Sequence, residues 1–272
     1  MRTEAGRPRR ALLAAALLAA AGAAPHGAWA AEEASGGAQA TAGFGADWQS
    51  WHAANDVADM ASVQRGARNF VSYCLGCHSL KYERWSRLAQ DLGVPPRLLE
   101  QDLLPPGDKP AQYILTSMPA ADSQAWFGKT PPDLSLMARA RGQDYLYQFL
   151  RTFYVDPASQ TGANNLRLPA TAMPHVLSEL EGLKRAVYRQ AAGTAQGQGT
   201  QQVFDHFEQI APGRLSAAEY EGFVRDTVNF LDYVSEPTQT ARRALGVWVV
   251  LFLLAFTWLA WLVKREYWKD VH

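Results

Sequence analysis

The feature that most constrains this chain is a run of twenty uncharged residues at positions 244–263. A helix rises about 1.5 Å per residue, so a run of this length crosses a hydrocarbon core of about 30 Å. Tryptophans lie toward its two ends, as is typical of membrane interfaces; they are Trp248, Trp258, Trp261 and Trp268. The run predicts a transmembrane helix, with a buried core helix as the alternative.

The first thirty residues have the order of a secretory signal peptide. Arginines precede an apolar stretch at residues 11–24, and Ala28-Trp29-Ala30 supplies small residues at a cleavage position. We place the cut after Ala30, so that residues 1–30 are removed; a mitochondrial presequence is the alternative. Basic residues flank both ends of the membrane run, so its orientation follows instead from the signal. The body is expected in the periplasm, anchored in the bacterial inner membrane, with residues 264–272 in the cytoplasm.

Between these segments the composition is that of a globular domain. Residues 31–46 are mostly small and are predicted to be a flexible lead-in, whereas residues 47–240 form the periplasmic domain. Lys plus Arg and Asp plus Glu are balanced at 26 each, so the chain lacks the basic excess of a nucleic-acid-binding protein. We expect no nucleic-acid partner.

Apolar spacing predicts a mostly α domain with long loops. Helices are expected over residues 57–78, 82–92, 144–154, 175–189 and 216–234, and a further one begins with Asp133 as its N-cap. Ser216 and Glu219 have the spacing of a capping box. Residues 156–174 are expected to form a long loop, and residues 191–200 a low-complexity surface excursion.

The chemistry of the chain is concentrated in Cys74-Leu75-Gly76-Cys77-His78, where both of its cysteines lie. A Cys-x-x-Cys-His motif is the attachment site of c-type haem. The two sulfurs match the two vinyl groups of the porphyrin, and the histidine that follows can reach the iron. We therefore predict one haem c with thioether bonds at Cys74 and Cys77 and with His78 as an axial ligand of iron.

Three other uses of a Cys-x-x-Cys pair compete with haem attachment. A thioredoxin-like redox pair needs a preceding strand and a thioredoxin domain, and neither is visible. A structural zinc site needs four ligands, and the chain has no further cysteines. A plain disulfide is chemically permitted in an exported protein but leaves His78 unexplained.

A six-coordinate electron-transfer haem needs a second axial ligand, and a methionine thioether raises the potential relative to a second histidine. Met60 lies too early on the helix that carries the motif, and Met137 lies on a helix face where a core role is commoner. Met118 and Met173 each precede a proline, which favours an extended backbone. Met173 ends the long loop and is the better candidate, with Met118 and His175 as rivals.

Several segments beyond the motif resemble the cytochrome c1 family, from about Trp48 to His272. They are Gln64-Arg65-Gly66, CLGCHSLKY, PPDLSLMARARGQDYLY at 131–147, AMPHVL at 172–177, DTVNFLDYVSEPTQTARRALG and KREYWKDVH. The Cys-x-x-Cys-His motif alone indicates only a c-type cytochrome, whereas these segments in this order are specific. The chain lacks the acidic insertion that mitochondrial members carry before PPDLS, so we assign no docking residues for a soluble cytochrome.

The resemblance implies a mostly α, cytochrome c-like helical haem domain with long loops, plus one C-terminal transmembrane helix. It implies that His78 and Met173 are the axial ligands. It further implies that Arg141 and Tyr145 contact the haem propionates, since a buried carboxylate needs a paired charge. The alternative for Arg141 is an ordinary solvated helix arginine.

The resemblance also implies partners and a role. The expected partners are cytochrome b, the Rieske iron–sulfur protein as donor and a cytochrome c as acceptor, in a dimeric bc1 assembly in the membrane. The chain would be an electron carrier within quinol–cytochrome c reductase and would itself make no bond in a substrate. Two rivals remain: a membrane-anchored haem subunit of a nitric oxide reductase or terminal oxidase, and a haem enzyme such as a peroxidase with an open sixth position.

Overall fold

A computed structural model describes residues 44–191 and 201–270 of the chain. The predicted signal peptide, most of the lead-in, residues 192–200 and the last two residues lie outside the described residues. The elements, in chain order after a short 3-10 turn (Trp48–Ser50), are α1 (Met60–Tyr73), β1 (Leu80–Arg84), α2 (Trp85–Asp91), α3 (Pro96–Leu98) with a following π-turn (Leu99–Leu103), β2 (Tyr113–Ile114), α4 (Ala120–Phe127), α5 (Met137–Arg141), α6 (Gln143–Arg151), β3 (Phe153–Val155), β4 (Ala163–Asn165), α7 (Ser178–Glu181), β5 (Gly182–Ala191), β6 (Gln201–Pro212), α8 (Ala217–Ser235) and α9 (Gln239–Tyr267).

Two helices far apart in the sequence, α1 and α8, form the centre of the domain. Their close approach depends on Gly66, where a Cβ atom would lie 2.0 Å from the carbonyl oxygen of Asp226 and 2.6 Å from Cβ of Phe230. Phe70 packs on Phe230 with ring centroids 5.6 Å apart, and both side chains are fully buried. Helix α1 runs directly into the Cys-x-x-Cys-His motif, so this packing holds the motif on the core.

Pairs of antiparallel strands lie around the helical core. In the part of the chain that the structure describes, strands β1–β2, β3–β4 and β5–β6 form three separate two-stranded antiparallel sheets. The predicted mostly α fold with one long apolar C-terminal helix is confirmed. The strands are absent from the sequence prediction.

The helix predicted over residues 175–189 is wrong. Only Ser178–Glu181 is helical, and the chain then continues as β5, which pairs with β6 from Gly182 opposite Pro212 to Ala191 opposite Gln201. Gly182 takes φ +90°, and a Cβ atom there would lie 2.3 Å from the carbonyl oxygen of Ala211, so the helix must stop at this point. The apolar spacing fits a helix locally, but the pairing partner lies beyond residues 192–200 and overrides it.

Smaller corrections concern the ends of elements. Residues 80–84 are strand β1, so the predicted helix over 82–92 begins only at Trp85, and the predicted helix over 144–154 ends at Arg151 because β3 follows. Asp133 is not an N-cap: α5 begins at Met137, and the Asp133 carboxylate instead accepts hydrogen bonds from backbone N–H groups of Lys81 and Ser135. The loop over 156–174 contains β4, which pairs with β3.

The last two helices follow the prediction. Ser216 caps α8 with the complete capping box, in which Glu219 bonds back to the Ser216 backbone N–H at 2.9 Å. Helix α9 contains the uncharged run, and it is the one helix among residues 44–191 and 201–270 that is long and apolar enough to cross a membrane. Lys264 and Arg265 lie in its last turn.

Candidate haem-binding site

The Cys-x-x-Cys-His motif forms a turn at the C-terminal end of α1. The Cys74 N–H still donates to Phe70 in helical fashion, and the N–H groups of Cys77 and His78 both donate to the carbonyl oxygen of Cys74, at 3.0 and 2.9 Å. The two thiols are not joined to each other. This compact turn places the two sulfurs and the imidazole on one short stretch of backbone, as covalent haem attachment requires.

The two thiols are held in the protonated form. Burial, with a smaller contribution from Cys77, raises the pKa of the Cys74 thiol to about 12, and burial also raises the pKa of Cys77. A dithiol redox pair depends on a lowered thiol pKa, so these cysteines have the opposite character to a thioredoxin pair. The donor set, two free thiols followed directly by a histidine, is the one that covalent attachment of haem c needs.

The imidazole of His78 is oriented by a carbonyl group. Its Nδ1 atom lies 2.8 Å from the carbonyl oxygen of Pro132, and because a carbonyl can only accept, Nδ1 carries the proton. Burial lowers the pKa of His78, which favours the neutral ring. The neutral tautomer with Nδ1–H has its lone pair on Nε2, and this arrangement is typical of histidines that bind a metal through Nε2.

The PPDLS segment is fastened to the motif by its backbone. Leu134 donates from its N–H to the carbonyl oxygen of Ser79 at 2.9 Å, and Asp133 accepts from the Lys81 N–H at 2.8 Å. These bonds fix the position of Pro132 beside His78. In the sequence PPDLS serves only as a family signature, and nothing in it predicts that the segment orients the imidazole.

The structure places the rival methionine, Met118, in a loop that is tied to the motif. Thr116 donates from Oγ1 to the carbonyl oxygen of Gly76 at 2.8 Å and accepts from the Met118 N–H at 3.2 Å. Met173 is half-buried, and its N–H lies 3.4 Å from Oγ1 of Thr171. These contacts connect Met118 to the motif and leave the sixth-ligand role of Met173 a prediction.

His175, the third candidate, has other contacts. Its ring stacks on Phe153 with centroids 5.0 Å apart, and Nε2 lies 3.0 Å from a carboxylate oxygen of Glu181. Glu181 also accepts from Lys184, whose side chain is almost fully buried. The environment of His175 is thus that of a buried structural residue beside the Met173 loop.

The structure brings Arg141 and Tyr145 together, and the propionate contacts that the resemblance implies for them stay a prediction. The Arg141 guanidinium lies 5.4 Å from the centroid of the Tyr145 ring. Arg167, which sequence reasoning missed, lies closer still to the same ring, at 4.7 Å. Its position six residues before Met173, in the same long loop, was the available signal.

Comparison with known proteins decides the family. A model described as the cytochrome C1 family matches residues 108–271, which is more than half of the chain. The chain belongs to the cytochrome c1 family. Because the match begins after His78, the motif and the family match are separate lines of support.

Three relatives illustrate the family. Cytochrome c1 of Allochromatium vinosum is 44% identical over 217 residues, covering 80% of this chain and 87% of the relative. A protein of Nitrosomonas europaea named ammonia monooxygenase gamma subunit is 41% identical over the same length, covering 80% and 86%. A cytochrome b/c1 of Bradyrhizobium diazoefficiens is 26% identical over 253 residues, covering 79% of this chain and 34% of the relative.

Family membership confirms the resemblance drawn from the sequence. A cytochrome c1 is the electron-transfer subunit of the cytochrome bc1 complex, in which it is a membrane-anchored haem c protein alongside cytochrome b. Cys74 and Cys77 supply the matching attachment motif, and α9 supplies a helix of membrane length. The nitric oxide reductase, terminal oxidase and peroxidase alternatives have no support among these matches.

Proposed function

We propose that this chain holds one haem c through Cys74 and Cys77, with His78 and Met173 as the axial ligands of its iron. The observation that carries the proposal is the hydrogen bond from His78 Nδ1 to Pro132, which leaves Nε2 free. When bound, haem c supplies a one-electron couple. Met173 is preferred over Met118 because AMPHVL at 172–177 resembles the axial methionine loop of the family, and a thioether raises the potential of the couple.

The chain's own residues would hold and orient that couple. His78 is fixed in one tautomer. Arg141 and Tyr145, whose side chains meet, would contact the propionates. The electron arrives from the Rieske iron–sulfur protein and leaves to a cytochrome c, within a dimeric bc1 assembly that also contains cytochrome b. The relative whose name joins cytochrome b and c1 in one protein supports cytochrome b as the neighbouring subunit.

We place the haem domain in the periplasm of a bacterium, with the signal peptide cut after Ala30 and α9 crossing the inner membrane. A reporter that is active only in the cytoplasm, fused after His272, should then be active. Activity of a periplasm-specific reporter at that position would overturn the orientation.

Covalent attachment is tested on the full chain expressed with a cytochrome c maturation system. After denaturation, haem should stay with the wild-type polypeptide, and the double variant Cys74→Ala with Cys77→Ala should lose it. Each single variant should keep one thioether, with a red-shifted α-band. Haem that is extracted by acid acetone from the wild-type protein would refute the proposal.

A further inference from the structure

Two guanidinium groups converge on one aromatic ring at the junction of α5 and α6. Arg141, the last residue of α5, lies 5.4 Å from the Tyr145 centroid, and Arg167 lies 4.7 Å from it. The two charges are therefore no further apart than the sum of those distances. Both arginine side chains are exposed, and Tyr145 is half-buried.

Arg167 is held in this place by its backbone. The side chain of Asn165, which is fully buried, accepts from the N–H groups of Arg167 and Leu168 at 2.8 and 3.0 Å. The same side chain donates to the carbonyl oxygen of Phe149 on α6 at 2.7 Å. The Arg167 turn is thus fastened to the helix that carries Tyr145, so the meeting of the three side chains is built into the fold.

Within the described part of the chain, neither guanidinium has a carboxylate partner. Across residues 44–191 and 201–270, no ion pair involves Arg141 or Arg167. The acidic residues nearest to them in sequence are occupied elsewhere, since Asp144 bonds His52 and the Ala53 N–H, and Asp156 bonds Asn164. Two guanidinium cations beside the same ring repel each other, and an anion placed between or above them would relieve that repulsion.

We propose that Arg167 is a second propionate-binding residue, forming with Arg141 a guanidinium pair around Tyr145 that takes the two carboxylates of haem c. The inference rests on the proposed haem site and extends it by one residue that the family resemblance does not supply. Arginine suits the role because its planar fork bonds a carboxylate bidentately and stays charged at any physiological pH.

The charge of Arg167 has a direct electrical consequence. Reduction removes one positive charge from the haem, and a fixed cation nearby favours the reduced state, so it raises the midpoint potential. Arg167 acts here as a positioning and electrostatic residue. Removing it should make the haem a weaker oxidant without detaching it, because the thioether bonds lie at Cys74 and Cys77.

The test is a redox titration of the purified membrane complex carrying Arg167→Gln, Arg167→Lys, Arg141→Gln or the control Arg97→Gln. Arg97 is also exposed and without an ion pair in the described part of the chain, so its variant makes the same change in net charge. Arg167→Gln and Arg141→Gln should each shift the equilibrium between the haem and a fixed redox partner by about three- to tenfold toward the oxidised haem. A tenfold shift corresponds to a midpoint potential about 59 mV lower for a one-electron couple. Arg167→Lys and Arg97→Gln should stay within about twofold of wild type.

The outcomes separate the two proposals. If Arg167→Gln behaves like Arg97→Gln while Arg141→Gln lowers the potential, Arg167 is a solvated arginine, and the haem site stands without it. If neither Arg141→Gln nor Arg167→Gln lowers the potential, the propionates lie elsewhere, and both the Arg141 assignment and the Arg167 proposal are wrong. Covalent attachment of the haem is tested separately, by denaturation. Should Arg167→Gln fail to assemble, Arg167→Met keeps the aliphatic stem on the Tyr145 ring while removing the charge, and the same lowering of the potential is expected of it.

Discussion

The Nδ1 atom of His78 lies 2.8 Å from the carbonyl oxygen of Pro132, a residue 54 positions further along the chain. One hydrogen bond therefore decides which nitrogen of the ring is free. It also gives PPDLS a physical role, because the bonds of Leu134 and Asp133 to residues 79 and 81 keep Pro132 in place. The site is assembled by contacts between distant segments around a local motif.

If Nε2 of His78 is one iron ligand, as proposed, replacing the second ligand should change both the midpoint potential and the reactivity of the haem. Met173→Leu removes the thioether, so we expect a lower midpoint potential and a haem that binds carbon monoxide. Met118→Leu is the matched control and should leave both unchanged. Redox titration and carbon monoxide difference spectra compare the two variants. If Met118→Leu instead lowers the potential and admits carbon monoxide while Met173→Leu does not, the ligand is Met118, whose loop is hydrogen-bonded to Gly76.

The close contact between α1 and α8 predicts that adding a single methyl group at Gly66 strongly destabilises the fold. Gly66→Ala would place Cβ 2.0 Å from the backbone oxygen of Asp226, which cannot move without shifting α8. We expect a loss of at least about 2 kcal/mol in unfolding free energy, and a fall of about 5 °C or more in the unfolding temperature of the haem domain. The haem absorbance on heating follows the transition.

Gly222→Ala is the control for that variant. Gly222 also lies within α8, but an added Cβ meets no atom within 4 Å. Alanine is the better helix former, so this variant should gain about 0.5–1 kcal/mol. If both glycine variants unfold at the wild-type temperature, the close approach of α1 and α8 is not what holds the motif on the core.

Glu83 predicts a pH dependence of stability. The residue is 5% exposed, and one of its carboxylate oxygens has no hydrogen-bond partner among the residues that the structure describes. Burial first, and then the charge of Asp91, raises the pKa of Glu83 to about 7 from an ordinary value of 4.5, against the smaller opposing effect of Arg87. The folded state thus holds a proton that the unfolded chain releases, and stability should fall as pH rises from about 4.5 to 7.

Glu83→Gln removes that dependence. Above about pH 7 the variant should be more stable than wild type by at most about 3 kcal/mol, and the difference should vanish near pH 4.5. Glu100→Gln, at an exposed position in the π-turn, is the control and should follow wild type throughout. Thermal unfolding at several pH values measures how stability depends on pH. If the stability of Glu83→Gln falls with pH as steeply as that of wild type, the ionisation of Glu83 is not the cause of the dependence.

Local patterns predicted much of the molecule. The attachment motif, the capping box at Ser216 and the uncharged run need only a few neighbouring residues to be specified, and α8 and α9 follow the prediction. The family resemblance named Arg141 and Tyr145 as propionate contacts, which stays a prediction, whereas their contact with each other was found only in the structure.

What could not be predicted depends on distant partners. The apolar residues of β5 have the spacing of a helix, and the segment is a strand because it pairs with β6. Arg167 reaches Tyr145 because the buried Asn165 binds Phe149, a contact that no periodicity encodes. Pro132 beside His78 and Thr116 beside Gly76 are likewise tertiary contacts between segments that the sequence separates.

The most direct test of the central claim is purification of the intact complex through a tag on the C-terminal tail of this chain. We predict that cytochrome b and a Rieske iron–sulfur protein copurify, and that adding a quinol reduces the covalent haem of this subunit in that preparation. Copurification with monooxygenase subunits instead, as the name of the Nitrosomonas europaea relative would suggest, together with a haem that quinol does not reduce, would contradict the claim.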